Sequence, residues 1–250
     1  MGNQLQIRWM DETDSTQEEV RRHIPDYDNL SVTAACYQTS GRGQRGNAWL
    51  SRKGENLTFS MLLKFGGGCF PRLKATDQFL ITRAATLGVT GYLESRDIAA
   101  AIKWPNDIYI GRRKVCGMLV ENILEGGNVA CSIVGIGLNV NQRIFPGELP
   151  NPTSMALQTG LEYDLPLELE AMTGYLGQAF DRMLRGEGDG SGEYERRLFR
   201  LGEYHEYTNC SDGTSFEGRI VGVSPVGLLR IEKRNGELKE FAFKEISYII

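Results

Sequence analysis

Residues 101–141 read AIKWPNDIYIGRRKVCGMLVENILEGGNVACSIVGIGLNVN, and this segment gives the clearest indication of the architecture. It is rich in apolar and β-branched residues, and glycines interrupt it at Gly111 and at residues 126–127, where hairpin turns are expected. Three adjacent strands are therefore predicted here.

On the N-terminal side, strand-like segments alternate with helical ones. Strands are predicted over residues 5–9, 31–38 and 57–64. Ser15 and Glu18 have the spacing of a capping box, which predicts a helix from there to about Ile24. Apolar residues at helical spacing predict a second helix over residues 74–94.

On the C-terminal side, helices are predicted over residues 154–159, 167–185 and 194–199, with a glycine-rich flexible break at 186–192. The last fifty residues alternate short β segments with turns, which is typical of a small β-barrel. We expect an α+β protein. Residues 1–198 would form a mixed β-sheet domain flanked by helices, and residues 199–250 a small β domain.

The composition excludes several classes of protein. A hydrophobic fraction of 41% and a charged fraction of 24% are typical of a folded globular chain. The N-terminus lacks a signal-peptide pattern, and no apolar run approaches the roughly 18 residues of a membrane span. The net charge of −4 gives no reason to expect DNA binding. Five scattered cysteines and two histidines argue against a disulfide framework or a His-rich metal centre and favour a cytoplasmic protein.

Gly41-Arg42-Gly43-Gln44-Arg45-Gly46 is the strongest short motif. It matches the dinucleotide pattern G-x-G-x-x-G, but no helix opens at it and no acidic residue follows about twenty positions later, so that interpretation fails. What remains is a glycine loop with two arginines inside the irregular segment 39–56. Such a loop can hold a phosphate beside a carboxylate. The alternative is a flexible surface loop with solvated charges.

Lys103-Trp104-Pro105-Asn106-Asp107 is the second motif, and Lys114 follows it. Pro105 has no backbone N–H, so Asn106 and Asp107 are expected at a bend between two strands. Lys114, taken by itself, is more typical of a charge on an edge strand than of a catalytic group.

Gly135-Ile136-Gly137-Leu138-Asn139 is the third motif, with glycines on one strand face and apolar residues on the other. The glycine face leaves room for a planar ligand, and Asn139 could bond a base edge. A strand packed tightly against a helix explains the pattern equally well. Cys116 and Cys131 lie among apolar residues, which favours buried, inert thiols.

Together with Asp14-Ser15-Thr16 and with Gln38 to Trp49, these segments resemble the biotin protein ligase family. The motifs follow one another in the family's order and span residues 14–141. The resemblance implies the class II aminoacyl-tRNA synthetase-like fold of biotin and lipoate ligases, and an SH3-like β-barrel at the C-terminus.

The resemblance also implies roles for individual residues. The catalytic groups would be Lys114, Arg42 and Arg45. The biotin-binding residues would be Ser15, Thr16, Gln38, Gly41, Arg42, Gly43, Lys114, Gly117, Gly135 and Gly137. The ATP-binding residues would be Arg42, Arg45, Trp49, Asn56, Asn106, Lys114 and Asn139. Asp107 would bind Mg²⁺, and Gln44 departs from members that have arginine at this position, which leaves one phosphate contact to the neighbouring arginines.

The implied activity joins biotin to a lysine of a biotin carboxyl carrier domain, with biotin and ATP as substrates and Mg²⁺ as cofactor. The resemblance is to the monofunctional form without an N-terminal DNA-binding domain, and it leaves open a homodimer. Two alternatives remain at this point. One is a lipoate-protein ligase or octanoyltransferase, which shares the architecture, and the other is a non-catalytic biotin-binding regulator.

Overall fold

The computed structural model describes residues 6–249, except for the side chain of Arg45. Within these residues the chain forms two sheets and five α-helices. The larger sheet contains strands β1 (Ile7–Thr13), β2 (Val32–Gln38), β3 (Leu57–Lys64), β4 (Leu73–Lys74), β5 (Ala101–Lys103), β6 (Asp107–Ile110), β7 (Arg113–Glu125) and β8 (Asn128–Leu138). The helices are α1 (Thr16–Arg22), α2 (Phe79–Glu94), α3 (Met155–Thr159), α4 (Leu165–Leu184) and α5 (Ser191–Arg196). The smaller sheet contains β9 (Tyr204–Asn209), β10 (Ser215–Val223), β11 (Leu229–Lys233), β12 (Leu238–Phe241) and β13 (Ile246–Tyr248).

The larger sheet is mixed, as predicted. Its strand order is β1-β2-β3-β8-β7-β6-β5, with β4 paired to β8 outside this path. β1 and β2 are parallel, and the remaining pairs are antiparallel. The expected turn glycines lie between the paired strands. Gly111 and Gly126 have φ of 56° and Gly127 has φ of 78°, a backbone conformation that favours glycine. The bend at Pro105 divides the first of the three expected strands, so residues 101–138 form four strands instead of three.

Helix α1 starts where it was predicted, but the expected capping box is wrong. Ser15 occupies the N-cap position, and its side chain makes no capping hydrogen bond. Its backbone N–H instead donates to the Asp14 carboxylate at 2.8 Å. Arg22 binds the same carboxylate and holds the pKa of Asp14 well below its usual range. The Asp14 carboxylate thus binds both the N-cap backbone and Arg22 in the last turn of α1, and the Ser15 side chain is not used as a cap.

Other element boundaries also differ from the predictions. β1 continues to Thr13 instead of stopping at Trp9, and residue 5 of the predicted strand lies outside the described residues. α2 begins at Phe79 because residues 75–77 form a 3₁₀ turn. α5 begins at Ser191, inside the predicted break, because Tyr194 is completely buried and anchors that segment in the core.

The larger sheet is covered on both faces. Neighbouring residues of a strand point to opposite faces, and on β3 Leu63 belongs to the main core whereas Leu62 packs in a second cluster with Val20 of α1 and Ile133 of β8. α2 and α4 pack against each other closely at Gly88, where a Cβ would lie 2.9 Å from the Leu176 side chain. Because both faces are buried, the central strands lack the polar alternation of a half-exposed sheet.

The smaller sheet packs against the bend that follows β5. The Trp104 indole N–H donates to the Gly227 carbonyl at 3.0 Å, and the Trp104 and Phe243 ring centroids are 6.2 Å apart. Buried residues of both sheets belong to one continuous hydrophobic core. Within residues 6–249, no helix combines the length and apolar character that crossing a membrane requires.

Candidate active site

One cavity brings together most of the residues that the sequence motifs singled out. It encloses about 820 Å³ of empty space, part of it open to solvent. The start of α1, the loop before β3, the bend after β5, the first half of β7 and the end of β8 surround it. The predicted residues that line it are Ser15, Thr16, Gln38, Arg42, Gly43, Trp49, Asn106, Asp107, Lys114, Gly117, Gly135 and Gly137.

Two glycines on neighbouring strands form a flat surface, which we call the glycine floor. Gly117 of β7 and Gly137 of β8 are paired directly across the ladder. A Cβ at Gly137 would overlap the Trp49 indole, and a Cβ at Gly117 would lie 3.1 Å from the same ring. The Trp49 indole therefore rests on the glycine floor, in space that the side chain of any larger residue at position 117 or 137 would fill. Its Nε1 is buried and has no hydrogen-bond partner among the described residues.

Gly135 lies two residues before the floor and has a different neighbour. A Cβ there would lie 2.5 Å from Gln17 Oε1 on α1. The Gln17 amide donates to the Ile133 carbonyl at 3.0 Å, which fixes the side chain against β8. The close approach of a helix side chain, one of the two sequence interpretations, is therefore observed at Gly135, whereas room for a planar ligand at Gly137 stays a prediction.

The glycine loop forms a compact turn above the floor. The Gly43 N–H donates to the Asn47 carbonyl at 2.7 Å, and the Trp49 N–H donates to the Gly41 carbonyl at 2.9 Å. A Cβ at Gly41 would lie 2.5 Å from the Trp49 carbonyl oxygen, and Gly46 has φ of 85°. Gly41 is outside the cavity lining, and its bond to the Trp49 N–H instead closes the loop.

Arg42 and Lys114 face the cavity, and protein carboxylates bind both. Lys114 Nζ lies 2.7 Å from Asp107 Oδ1, and its ammonium is 5.9 Å from the Trp49 ring centroid. Arg42 pairs with Glu18 of α1 and with Glu121 of β7, the latter at 3.3 Å.

Two further outcomes concern the predicted cations. The expectation that Lys114 lies on an edge strand is wrong, because β7 is hydrogen-bonded to β6 on one side and to β8 on the other. The Arg45 side chain lies outside the described residues.

A buried polar network lies at the start of α1. The Thr16 N–H donates to Gln38 Oε1 at 2.8 Å, and the Thr16 hydroxyl lies 2.9 Å from the Ser60 hydroxyl. The Ser60 hydroxyl in turn donates to Gln17 Oε1 at 3.1 Å. Hydroxyl and amide groups held this way in a cavity wall can recognise a polar ring by hydrogen bonding.

The predicted nucleotide contacts divide into two groups. Trp49 and Asn106 line the cavity, and the Asn106 amide donates to the Met118 carbonyl. Asn56 and Asn139 lie outside the cavity lining. The Asn56 amide donates to Gln142 at 2.5 Å, and the Asn139 amide donates to the Thr153 carbonyl at 2.9 Å.

Sequence reasoning assigned no role to several residues that line the cavity, including Gln17, Ser60, Lys103 and Phe243. Gln17 follows the Ser15-Thr16 motif directly, and Lys103 is the first residue of the second motif, so a local signal was present at both. Ser60 and Phe243 carry no local signal. Ser60 reaches the cavity through the order of the strands, and Phe243 reaches it through the docking of the smaller sheet.

A magnesium site would depend on very few protein groups. Within residues 6–249, no three His, Cys, Asp or Glu side chains come together as a metal-binding group. Asp107 is a carboxylate in the cavity lining, and Lys114 neutralises it. This donor set suits an ion held mainly by substrate phosphates and water, which is how Mg²⁺ commonly binds beside nucleotides.

The chain is similar to proteins of known activity. The model of the Biotin/lipoate A/B protein ligase family matches residues 9–139. "Bifunctional ligase/repressor BirA" of Bacillus subtilis is 30% identical over 216 residues, which cover 85% of this chain and 64% of that protein. "Biotin--[acetyl-CoA-carboxylase] ligase" of Paracoccus denitrificans is 32% identical over 157 residues, which cover 61% of this chain and 63% of that protein. The matches thus span less than two thirds of these relatives' lengths.

The fold is similar to that of solved biotin protein ligases. The structure described as biotin protein ligase from Aquifex aeolicus in complex with biotin and ATP has a TM-score of 0.76 and 29% identity, and the match covers 97% of both chains. This similarity extends over both sheets. Because the family model covers more than half of the chain, the protein belongs to the Biotin/lipoate A/B protein ligase family.

Proposed function

We propose that this protein is a biotin protein ligase that forms biotinyl-5′-AMP from biotin and ATP and then transfers biotin to a lysine of a biotin carboxyl carrier domain. The observation that carries the proposal is the meeting of Lys114, Arg42 and the glycine floor in one cavity. The names of the relatives support it, and so does the similar A. aeolicus structure, which holds biotin and ATP.

In the first step the biotin carboxylate oxygen attacks the α-phosphorus of ATP. A phosphorus–oxygen bond forms, the bond to the β-phosphate bridging oxygen breaks, and pyrophosphate leaves. Two anions must meet, so fixed cations aimed at the reacting groups lower the barrier. Arg42 and Lys114 now bind protein carboxylates and would exchange these for the substrate anions. Arg45 is proposed as a third cation on the phosphates.

The cavity has a polar end and a flat side that suit the two substrates. Ser15, Thr16 and Gln38 would hydrogen-bond the biotin ring, whose body would lie along the glycine floor. Trp49 would move from the floor and pack against the adenine. Asn106 is proposed to bind the nucleotide, whereas direct contacts from Asn56 and Asn139 remain predictions for residues that lie behind the cavity wall.

In the second step the amine of the carrier lysine attacks the carbonyl carbon of the mixed anhydride. An amide forms, AMP leaves, and the amine loses a proton. In the first step, before pyrophosphate leaves, magnesium would bind the polyphosphate beside Asp107 and neutralise part of its charge. The glycine loop would cover the adenylate and slow its hydrolysis until the carrier arrives.

The finer architecture is also part of the proposal. The five strands β9 to β13 would form the SH3-like barrel, and the domain boundary would lie between residues 198 and 199. The antiparallel order β12-β11-β10-β9-β13 supports this assignment. All five cysteines are free thiols, which supports a cytoplasmic location.

Biotin-dependent exchange of labelled pyrophosphate into ATP tests the first step directly. The protein should catalyse exchange with biotin and Mg²⁺, and Lys114→Met should lower kcat/KM by about 100-fold because a fixed cation is lost. Arg113→Met is the matched control, since Arg113 is exposed and outside the cavity lining. Calorimetric titration with biotin and with lipoate decides between the two ligand classes. Binding of lipoate alone would support a lipoate ligase, and biotin binding without exchange would support a regulator.

A further inference from the structure

Lys103 is a half-buried lysine in the cavity wall, and two tyrosine rings enclose its ammonium. The ammonium lies 5.3 Å from the Tyr109 ring centroid and 4.9 Å from the Tyr248 ring centroid. Both distances are within the range of a cation–π interaction. Tyr109 belongs to β6 beside Lys103, but Tyr248 comes from β13 of the smaller sheet.

No carboxylate within residues 6–249 lies at ion-pair distance from the Lys103 ammonium. Asp107 is the ladder partner of Lys103, but its carboxylate binds Lys114 at 2.7 Å. Burial lowers the pKa of Lys103, the nearby cations Lys114 and Arg200 add to this, and Asp107 opposes it. A cation withdrawn from water without a carboxylate partner is costly unless an anion completes its surroundings. Lys103 is also one of the residues that line the cavity.

The ring of Tyr248, and not its hydroxyl, makes the contact. The hydroxyl is buried and has no hydrogen-bond partner among the described residues. The ring packs edge-on against Tyr207, with centroids 5.3 Å apart, and is stacked with Phe199 at 6.4 Å. Tyr248 is therefore held in one place, and it limits where the Lys103 side chain can lie.

We propose that Tyr248 is a positioning residue through which the smaller sheet holds the Lys103 ammonium against the cavity, where Lys103 binds the polyphosphate of the nucleotide. This inference rests on the proposed function. Lys103 is the ladder partner of Asp107, Lys114 binds the Asp107 carboxylate, and both lysines line the cavity, so the pair suits a ligand with several negative charges better than the single carboxylate of biotin. The smaller sheet thereby contributes to the site without supplying the charge.

A double-mutant cycle on the exchange reaction tests the coupling. Tyr248→Leu should raise the KM for ATP by about tenfold and leave the KM for biotin unchanged, since a partly buried cation–π contact is lost. Tyr248→Phe keeps the ring and should retain the KM for ATP. Lys103→Met should raise the same KM by at least as much as Tyr248→Leu. The double variant should be no worse than Lys103→Met alone, because residues that act through one another are not additive.

Tyr204→Leu is the matched control. Tyr204 also lies in the smaller sheet under an arginine, with Arg234 at 3.7 Å from its ring centroid, and it is outside the cavity lining. Its loss should leave both KM values unchanged, and thermal melting of every variant reports on folding. Multiplicative effects in the double variant, or an unchanged KM for ATP in Tyr248→Leu, would overturn the coupling while the proposed function stands. Absence of exchange in the unaltered protein would remove both.

Discussion

Two glycine-rich regions face each other across the cavity, and they use glycine for different reasons. In the glycine floor, Gly117 and Gly137 lie in paired extended strands, and what matters is the missing Cβ, since the Trp49 indole occupies its space. In the glycine loop, Gly41 also has no room for a Cβ, but Gly46 has φ of 85° with open space around it, and there the backbone conformation is what matters. The same residue thus creates a flat rigid surface in one place and a tight turn in the other.

The two regions also differ in how firmly they are held. The floor lies in the interior of the larger sheet, and β7 and β8 are hydrogen-bonded on both sides. The loop is tied by a few backbone bonds and by the Arg42 ion pairs with Glu18 and Glu121. We infer that the floor selects the ligand by shape and that the loop responds to its charge.

The largest expected effect comes from removing the Arg42 charge from the glycine loop. Arg42→Ala should lower kcat/KM for pyrophosphate exchange by about 100-fold, because a cation aimed at the reacting anions is lost. Arg52→Ala is the control within the same segment, since Arg52 is exposed and pairs with Glu55 outside the cavity. Equal losses in both variants would mean that the loop acts only through its overall charge.

A smaller effect is expected from filling the floor. Gly137→Val should weaken biotin binding by about 30-fold, as added side-chain volume in a packed site commonly costs about 2 kcal/mol. Calorimetric titration measures it. Gly147→Ala is the control, because a Cβ at Gly147 meets nothing within 4 Å. Unchanged biotin affinity in Gly137→Val would show that the ligand does not lie on the floor.

The smallest expected effect is a change in loop order on binding. Biotin with ATP should slow tryptic cleavage after Arg42 and Arg45 several-fold, because a loop that closes over ligand is less accessible to protease. Cleavage after Arg112 and Arg113, at the exposed hairpin between β6 and β7, should continue at the same rate. Mass spectrometry separates the sites. Equal protection at both would indicate general stabilisation instead of loop closure.

Much of the fold could be predicted because its signals are local. β3 was predicted with its observed limits, 57–64, and the turns at Gly111 and Gly126 depend on residues that tolerate positive φ. The capping box at Ser15 failed because side-chain hydrogen bonds at a helix start depend on competing partners, and here the Asp14 carboxylate takes the Ser15 N–H. Lys114 was misplaced at a sheet edge because strand order cannot be obtained from one strand's own sequence.

Part of the site could also be predicted, because some of its signals are local. Motifs gave Lys114, Arg42 and the glycines, since each belongs to a short pattern with a chemical meaning. They gave no sign that Arg42 pairs with Glu121, which lies 79 residues away along the chain. Tyr248 was also missed, because its ring reaches Lys103 only after the two sheets dock.

Most of the strands and helices, the turns at Gly111 and at residues 126–127, and the candidate cations and small residues of the site could be obtained from the amino-acid order alone. Long-range packing settled which glycine contacts a helix side chain and which carries the Trp49 indole, which carboxylates pair with the cations, and how the smaller sheet encloses Lys103. The difference follows from the distance along the chain over which each interaction acts. Backbone preferences act over a few residues, whereas burial and charge pairing depend on neighbours that the folded chain brings from distant positions.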